Sequence, residues 1–404
     1  MSLNTTFIAD PHRSFAISEE GNNNQLLINL LSTHGKESRN FPRLQQTIDQ
    51  LDFNFYKELL PKIAEWAGDH TQAKSVEPLQ AGSTRTIVYT AAQVRYILAN
   101  AFFLNTTAGY GNIDLSRLYN SFDKDLSIAR IRCLIEYFRL SSQENDPNRE
   151  ISIERYFYRN ELPNWNEQDL LIESSKIHIS TDRMEDSTEA DGFVDFANKH
   201  IHIHRIIPSA TQEEVLFSCC PEAFISILVC ETLLDDEIVI LRGCKRFIEY
   251  TGYADTFNYH GHYQNSGHIQ DILVIDACYS GQFTEENIDR DLGKAWAGFM
   301  KSKDSIISTG NWGCGVFGGD LIFKFLQQLC AAMILGKQVQ RLDYSAYHDE
   351  SLAMDLKDLL ERLEKKKKTV TDIYRMMHKY RETGELYTSR PLFRDYAENW
   401  LNQS

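Results

Sequence analysis

The sequence predicts an α/β protein: a layered sheet-and-helix domain preceded by a helical region. Three observations carry this. From Leu51 to about Leu140, apolar residues recur at helical spacing. From about residue 150, short strand-like runs alternate with longer helical ones, the pattern of a largely buried sheet between helices. A polar, proline-containing stretch, Ser141 to Asn148, separates the two patterns. The expected organisation is a weakly patterned extension over 1–40, a helical region over 41–148 and an α/β domain over 149–404.

In the helical region, Gln93 to Phe103 sets Val94, Ile97, Leu98, Ala101 and Phe102 on one face, with Thr90 as the N-cap. Ile128 to Leu140 repeats the pattern. In the second domain the expected strands are Ile177–Thr181, Gly192–Ala197, Glu237–Gly243, Asp271–Ala277 and Ser305–Gly310. Long helices are expected over Glu213–Leu234 and Asp320–Gly336. The basic run Lys365–Lys368 sits inside a helical charge pattern and reads as a solvated face. No internal repeat is evident.

Composition narrows the function. An apolar content of 42% with 25% charged residues is that of an ordinary soluble globular protein. The net charge of −15 argues against non-specific binding to nucleic acid or a membrane surface. An anionic ligand would need a local device, such as backbone amides. The eight cysteines form no CxxC pair and read as reduced thiols of a cytosolic or nuclear protein. The N-terminus has no apolar signal core, and no run approaches a membrane span.

Four segments could carry chemistry. Ser308 to Asp320, STGNWGCGVFGGD, follows a strand and opens a helix. Its glycines permit turns that leave amides free to converge on one anion, and the helix N-terminus adds its dipole. The alternative is a tight turn anchored by Trp312 and Phe317. Second, Glu213 and Glu214 form an acidic pair after a strand that closes on Asp195, Phe196 and Asn198. Paired carboxylates suit acid/base chemistry on a sugar, although one glutamate there could simply cap the next helix. Third, His200, His202 and His204 alternate, so an extended backbone would aim all three one way. A fourth metal ligand is lacking, and a solvent-facing or loop role is expected. Fourth, IDACYSG, Ile275 to Gly281, resembles the nucleophile strand of caspase-like cysteine peptidases, with Cys278 as nucleophile and His260 as partner. Only residues 262–277 separate the two, too few for the crossover those strands require.

Taken together, GFVDFANKH, TQEEVLF, EYTGYADTF and STGNWGCGVFGGD resemble the catalytic domain of poly(ADP-ribose) glycohydrolases in order and spacing. LANAFF and IRCLIEYF resemble that family's helical accessory region, so the likeness covers about residues 85–380. The resemblance implies a macrodomain-like three-layer α/β/α sandwich with a mixed sheet. It implies hydrolysis of ribose–ribose O-glycosidic bonds, with Glu214 as general acid and then base, Glu213 holding the scissile ribose and Asp195 supporting the site. Asn198 and Gln212 would bind sugar hydroxyls and the catalytic loop. Met184 and Glu185 would contact adenine, and Tyr253 would cover the diphosphate and ribose. Asn311, Trp312, Gly313, Cys314, Gly315 and Val316 would supply diphosphate amides. Phe317 would pack on the distal ribose, and Tyr347 against the adenosine.

The resemblance further implies no cofactor and no metal, since a carboxylic acid and a water suffice. The implied partner is poly(ADP-ribose) on modified proteins, met by a monomer in the nucleus or cytoplasm during the DNA damage response, without direct nucleic-acid or membrane binding. One departure stands out. Where the family has three consecutive glycines, this chain has His202, Ile203 and His204. A β-branched residue strongly disfavours the positive φ that glycine allows. Two readings stay open: an active glycohydrolase with a remodelled loop, or a catalytically impaired relative that binds ADP-ribose.

Overall fold

A computed structural model describes residues 13, 15, 27, 31, 40–105, 108–265, 269–302, 305–386 and 392–403. The expected extension over 1–40 therefore lies almost wholly outside the described residues. Helices α1 (Pro42–Asp49) and α2 (Leu60–Gly68) lead into strand β1 (Arg85–Thr90), followed by α3 (Ala91–Phe102) and α4 (Lys124–Ser141). Strands β2 (Glu150–Phe157), β3 (Ile177–Ser180) and β4 (Gly192–Ala197) precede α5 (Gln212–Cys219) and α6 (Ile225–Val229). Then come β5 (Glu237–Lys245), β6 (Ile248–Thr251), β7 (Asn258–His262), β8 (Ile269–Asp276) and α7 (Glu285–Lys301). The chain closes with β9 (Ser305–Gly310), α8 (Leu321–Leu335), β10 (Val339–Ser345), α9 (Glu350–Lys365), α10 (Val370–Leu386) and α11 (Phe393–Gln403).

Eight strands form one mixed sheet in the order β1-β2-β5-β8-β4-β9-β10-β3, and β6 pairs with β7 in a separate hairpin. The β1–β2–β5–β8 half is antiparallel, whereas β8, β4, β9, β10 and β3 run parallel. Two cores cover its faces. In β5, Val239 and Leu241 join the core beneath the N-terminal helices, while Ile238 and Ile240 join the one beneath α7 and α8. In β8, Ile272 and Val274 face the first core and Leu273 and Ile275 the second. That is the two-residue alternation of a strand buried on both faces, so the molecule is a three-layer α/β/α sandwich with a mixed sheet, flanked by the N-terminal helices.

The expected strands are all present, and Thr90 caps α3 as the sequence suggested, accepting from the Gln93 amide at 3.2 Å. Three expectations change. The span read as helical contains β1, which joins the sheet through β2. As an edge strand it buries only alternate residues, which weakens its sequence signal. The single helix expected over Glu213–Leu234 is broken between α5 and α6, because Pro221 cannot continue a helix and Cys220 turns out of it at ψ 68°. Finally, β2 and β10 went unread. Among the described residues no helix is long and apolar enough to cross a membrane.

Candidate active site at the carboxyl ends of the parallel strands

In open α/β sheets ligands bind beyond the carboxyl ends of parallel strands. Here β4 ends at Ala197, β8 at Asp276 and β9 at Gly310, and their following loops enclose a cavity of about 450 Å³. It is lined by Asn198, Ile203, Gln212, Glu213 and Glu214, by Tyr253, and by Asn311, Trp312, Gly313, Gly315, Val316 and Phe317. The acidic pair and the glycine-rich loop, about a hundred residues apart in sequence, thus face the same space.

Glu213 and Glu214 occupy the first turn of α5 and are buried. Glu213 accepts from the His202 amide at 2.6 Å and the Asn198 amide at 3.4 Å. Burial, with Asp195 and Glu214 nearby, lifts its pKa well above the usual carboxylate range against the pull of those two amides. Glu214 reaches back to accept from the Thr211 amide at 3.0 Å and from the Thr211 hydroxyl. Asp195 lies on β4, fully buried, and neither of its carboxyl oxygens has a hydrogen-bond partner among the described residues. Burial first, then the charges of Glu214 and Glu185, raise its pKa strongly, so it is held protonated. Asp195 is not part of the cavity lining.

Gln212 binds β4 to this turn: its Oε1 accepts from the Phe196 amide at 2.8 Å, and its Nε2 donates to the Val194 carbonyl at 3.2 Å and to Glu185 at 3.0 Å. Glu185 also accepts from the Tyr253 hydroxyl, and Tyr250 donates to that hydroxyl at 3.2 Å. Met184 is buried beside them, its carbonyl accepting from Ser308 at 2.6 Å. Tyr347 packs edge-on against Tyr253 at 4.9 Å. Glu185 and Tyr347 therefore meet Tyr253, and Met184 meets Gln212 at 3.6 Å; Tyr253 and Gln212 line the cavity, whereas Met184, Glu185 and Tyr347 do not.

The glycine-rich loop divides into amides that hold the turn and amides that are free. Trp312 donates to Gly310 at 2.7 Å, Cys314 to Asn311 at 3.0 Å, Gly318 to Gly315 at 3.0 Å and Gly319 to Gly313 at 2.9 Å. The amides of Gly313, Gly315, Val316 and Phe317 have no acceptor among the described residues, and all four residues line the cavity. Such a cluster is an anion-binding nest. The amide set expected from the sequence narrows accordingly: Trp312 and Cys314 serve the turn, and Cys314 is not part of the lining. The Trp312 ring is a core anchor, fully buried, with Nε1 donating to Ile275 at 3.0 Å. Asn311 is oriented by the Tyr344 hydroxyl at 3.0 Å. Gly313 is required: its φ is +73°, and a Cβ there would meet Ala277 Cβ at 2.5 Å.

His202, Ile203 and His204 all have positive φ, at 53°, 47° and 55°. The segment is a tight turn, so the three histidines do not line up as they would on an extended chain. His202 is fully buried, against the expected solvent-facing role, with its ring 5.3 Å from Phe217 and 5.5 Å from Phe224. Its Nδ1 lies 2.8 Å from the Arg205 carbonyl and must carry the proton, leaving Nε2 unpartnered. Burial lowers its pKa to about 4, so the ring is neutral. Ile203 lines the cavity. Among the described residues no group of His, Cys, Asp or Glu is arranged to hold a metal.

Two features escaped sequence reasoning. Arg130, buried on α4, donates from Nε to Ser218 at 3.1 Å and from a terminal nitrogen to the carbonyls of Ser209 at 2.9 Å and Ile207. Its charge acts on Glu214 from behind. Beneath the glycine loop, Lys324 pairs with Asp291, which also accepts from Arg290 at 2.7 Å and from the Cys278 amide at 3.1 Å. A lone arginine in an apolar helix and an acid inside another give only a weak signal of buried function. Cys278 belongs to this network. Burial and Asp291 push its thiol up to about 12, the reverse of a peptidase nucleophile, and His260 sits in the separate β6–β7 hairpin.

Two family models match the chain: "Poly (ADP-ribose) glycohydrolase (PARG), helical domain" over residues 49–155, and "Poly (ADP-ribose) glycohydrolase (PARG), Macro domain fold" over 162–354. Poly(ADP-ribose) glycohydrolase 1 of Caenorhabditis elegans is 26% identical over 354 residues, covering 80% of this chain and 44% of that protein. Poly(ADP-ribose) glycohydrolase 2 of the same organism is 30% identical over 193 residues, covering 41% and 39%. The chain thus spans less than half the length of these relatives. The crystal structure of poly(ADP-ribose) glycohydrolase from Thermomonospora curvata aligns at 15% identity and a TM-score of 0.32, over 46% of this chain and 76% of that one.

Proposed function

Since the chain belongs to the poly(ADP-ribose) glycohydrolase family, we propose that it hydrolyses ribose–ribose O-glycosidic bonds of poly(ADP-ribose) and releases ADP-ribose. One observation carries the reading: a buried glutamate pair and a nest of four free amides share a single cavity of about 450 Å³. The nest suits a diphosphate, and the glutamates suit the acid/base work of breaking a glycosidic bond.

In this reading the diphosphate rests on the amides of Gly313, Gly315, Val316 and Phe317. Adenine lies toward Glu185, Tyr253 and Tyr347, and the scissile ribose toward Asn198 and Glu213. Glu214 gives its proton to the glycosidic oxygen as that oxygen's bond to the anomeric carbon breaks, and the chain leaves as an alcohol. A water then adds to the oxocarbenium-like carbon and returns its proton to Glu214. Glu213, held by two backbone amides, positions the sugar. Burial raises the pKa values of Asp195 and Glu213, so the site disfavours carrying all of its carboxylate charges at once.

A second reading rests on Ile203, which lines the cavity at a position that the family resemblance gives to glycine: an ADP-ribose binder that has lost turnover. In both readings the protein acts as a monomer on polymer-modified proteins of the nucleus or cytoplasm, in the DNA damage response. The division at about residue 148 separates its helical region from its catalytic domain. Its net charge of −15 supports a ligand held by local amides rather than by a basic field.

The test is release of free ADP-ribose from automodified polymer by the purified protein, beside Glu214→Gln. Wild-type release with loss of at least a hundredfold in the variant is expected, on the usual size of general acid/base contributions of about 10²–10⁴. Tight ADP-ribose binding without any release by wild type would select the binder. Release that Glu214→Gln leaves intact would remove Glu214 from the mechanism.

A further inference from the structure

The catalytic cavity is electrostatically unfavourable to a diphosphate. Glu213 and Glu214 line it, and among the described residues no lysine, arginine or histidine does. The chain as a whole carries a net charge of −15. The free amides of the glycine-rich loop supply partial charges only. Behind that loop stands a full one, Lys324.

Lys324 lies at the N-terminal end of α8 and is 1% exposed. It therefore bears the cost of burying a charge and faces the positive end of a helix dipole. Asp291, on α7, offsets this by accepting from its ammonium. Asp291 is fixed in turn by Arg290 at 2.7 Å and by the Cys278 amide at 3.1 Å. Burial alone would raise the Asp291 pKa, but Lys324 and then Arg290 hold it below the usual carboxylate range, so the pair is charged. A buried ion pair rarely stabilises a fold more than apolar residues of the same volume would. Stability alone does not account for this lysine.

Its place does. The Lys324 stem backs the loop: a Cβ at Gly313 would lie 3.4 Å from Lys324 Cε, and one at Gly319 would lie 3.3 Å from it. The ammonium sits 4.9 Å from the centre of the buried Trp312 ring. Gly313 and Trp312 line the cavity, whereas Lys324 does not. Its charge therefore reaches the cavity across the loop, from the side opposite a ligand held on the amides. The charge, the amides and the α8 N-terminus all add potential of one sign.

We propose, resting on the reading of this loop as a diphosphate site, that Lys324 is a positioning residue for the anion. Its buried ammonium offsets the repulsion of the glutamate pair without touching the ligand. Asp291 keeps the lysine in place and sets how much of its field is left over.

The experiment measures ADP-ribose affinity by calorimetric titration for wild type, Lys324→Met, Asp291→Asn and the double variant. Methionine keeps the stem and removes the charge. Lys324→Met is expected to weaken binding about tenfold, the effect of one buried charge acting across several ångströms at an effective dielectric constant of about 20. Asp291→Asn should act in the opposite direction and tighten binding about threefold, with the double variant between the two single ones. On polymer, Lys324→Met should raise KM and leave kcat within about twofold, because the glutamates are untouched. Unchanged affinity in Lys324→Met overturns the proposal. So does weakening in both single variants, the result of a pair that merely packs the loop. The double variant leaves neither charge in the core, and affinity below that of Lys324→Met would also refute the role. A wild type that binds no ADP-ribose removes the diphosphate reading and this role with it.

Discussion

The amide of His202 donates to the Glu213 carboxylate at 2.6 Å from a backbone held at φ 53°. The loop that aims this hydrogen bond therefore takes a left-handed path suited to glycine, built from His, Ile and His. Each such residue costs on the order of 1–3 kcal/mol. The offset comes from the side chains. The His202 ring fills a pocket between Phe217 and Phe224, and its Nδ1 donates to the Arg205 carbonyl at 2.8 Å. The backbone route is thus one that suits glycine, and its support comes from the core.

The residues of this turn should respond in opposite ways to glycine. Ile203 is β-branched at φ 47° and lines the cavity. Ile203→Gly is expected to raise stability by about 1 kcal/mol and to increase ADP-ribose release. His202→Gly empties a buried site and should cost about 2–4 kcal/mol. Urea denaturation and polymer hydrolysis, measured side by side, check this. Two variants moving in the same direction would show that strain and packing are not divided as described.

Acid should destabilise the protein through His202. Its folded pKa of about 4 lies below the value near 6.5 of an unfolded chain. The unfolded state then binds the proton more readily, so the stabilisation is complete above pH 6.5 and lost as pH falls toward 4. The window amounts to about 3 kcal/mol. Asp195 has the opposite sign. Its raised pKa means that the fold prefers the protonated form, and stability falls as pH climbs above the ordinary carboxylate range. Melting temperature against pH should flatten on the acid side in His202→Phe. The advantage of Asp195→Asn over wild type should grow toward alkaline pH. Parallel curves for all three proteins would contradict both assignments.

Arg130 couples the helical region to the catalytic turn. It anchors the carbonyls of Ile207 and Ser209 and the Ser218 hydroxyl, which itself donates to the Glu214 carbonyl at 2.7 Å. Arg130→Met should lower stability by about 2–4 kcal/mol, because it leaves buried acceptors unpaired. It should also reduce kcat at least tenfold with little change in KM, since Arg130 does not touch the loop proposed to hold the diphosphate. A folded variant with normal kcat would reduce Arg130 to a purely structural role.

The legible parts of this molecule are those where residue type alone restricts the backbone. Four glycines between a strand and a helix, after a fifth that ends the strand, could hardly be anything but a turn with exposed amides. Gly192–Ala197 and Asp271–Asp276 are apolar over most of their length and short, the mark of strands covered on both faces. Where pattern and local chemistry conflicted, the reading failed. The apolar run from Glu213 to Leu234 looks like one helix, but Pro221 divides it. β1 alternates at the edge of the sheet within a span dominated by helices, and its partner β2 lies some sixty residues away.

The sequence by itself determined the α/β class, the family and the chemical groups at hand: an acidic pair, a glycine loop and a tyrosine. These follow from residue type and order, which local sterics convert into strand, turn and helix. Only the tertiary structure decided which groups meet. It chose which loop amides are free, because the turn's own hydrogen bonds engage Trp312 and Cys314. It brought Arg130 behind Glu214 and buried Asp195 without a partner. It also bent His202, Ile203 and His204 through positive φ, a conformation their own preferences oppose. The reason is physical: desolvation, charge proximity and imposed backbone strain are set by contacts distant in sequence, and no local pattern records them.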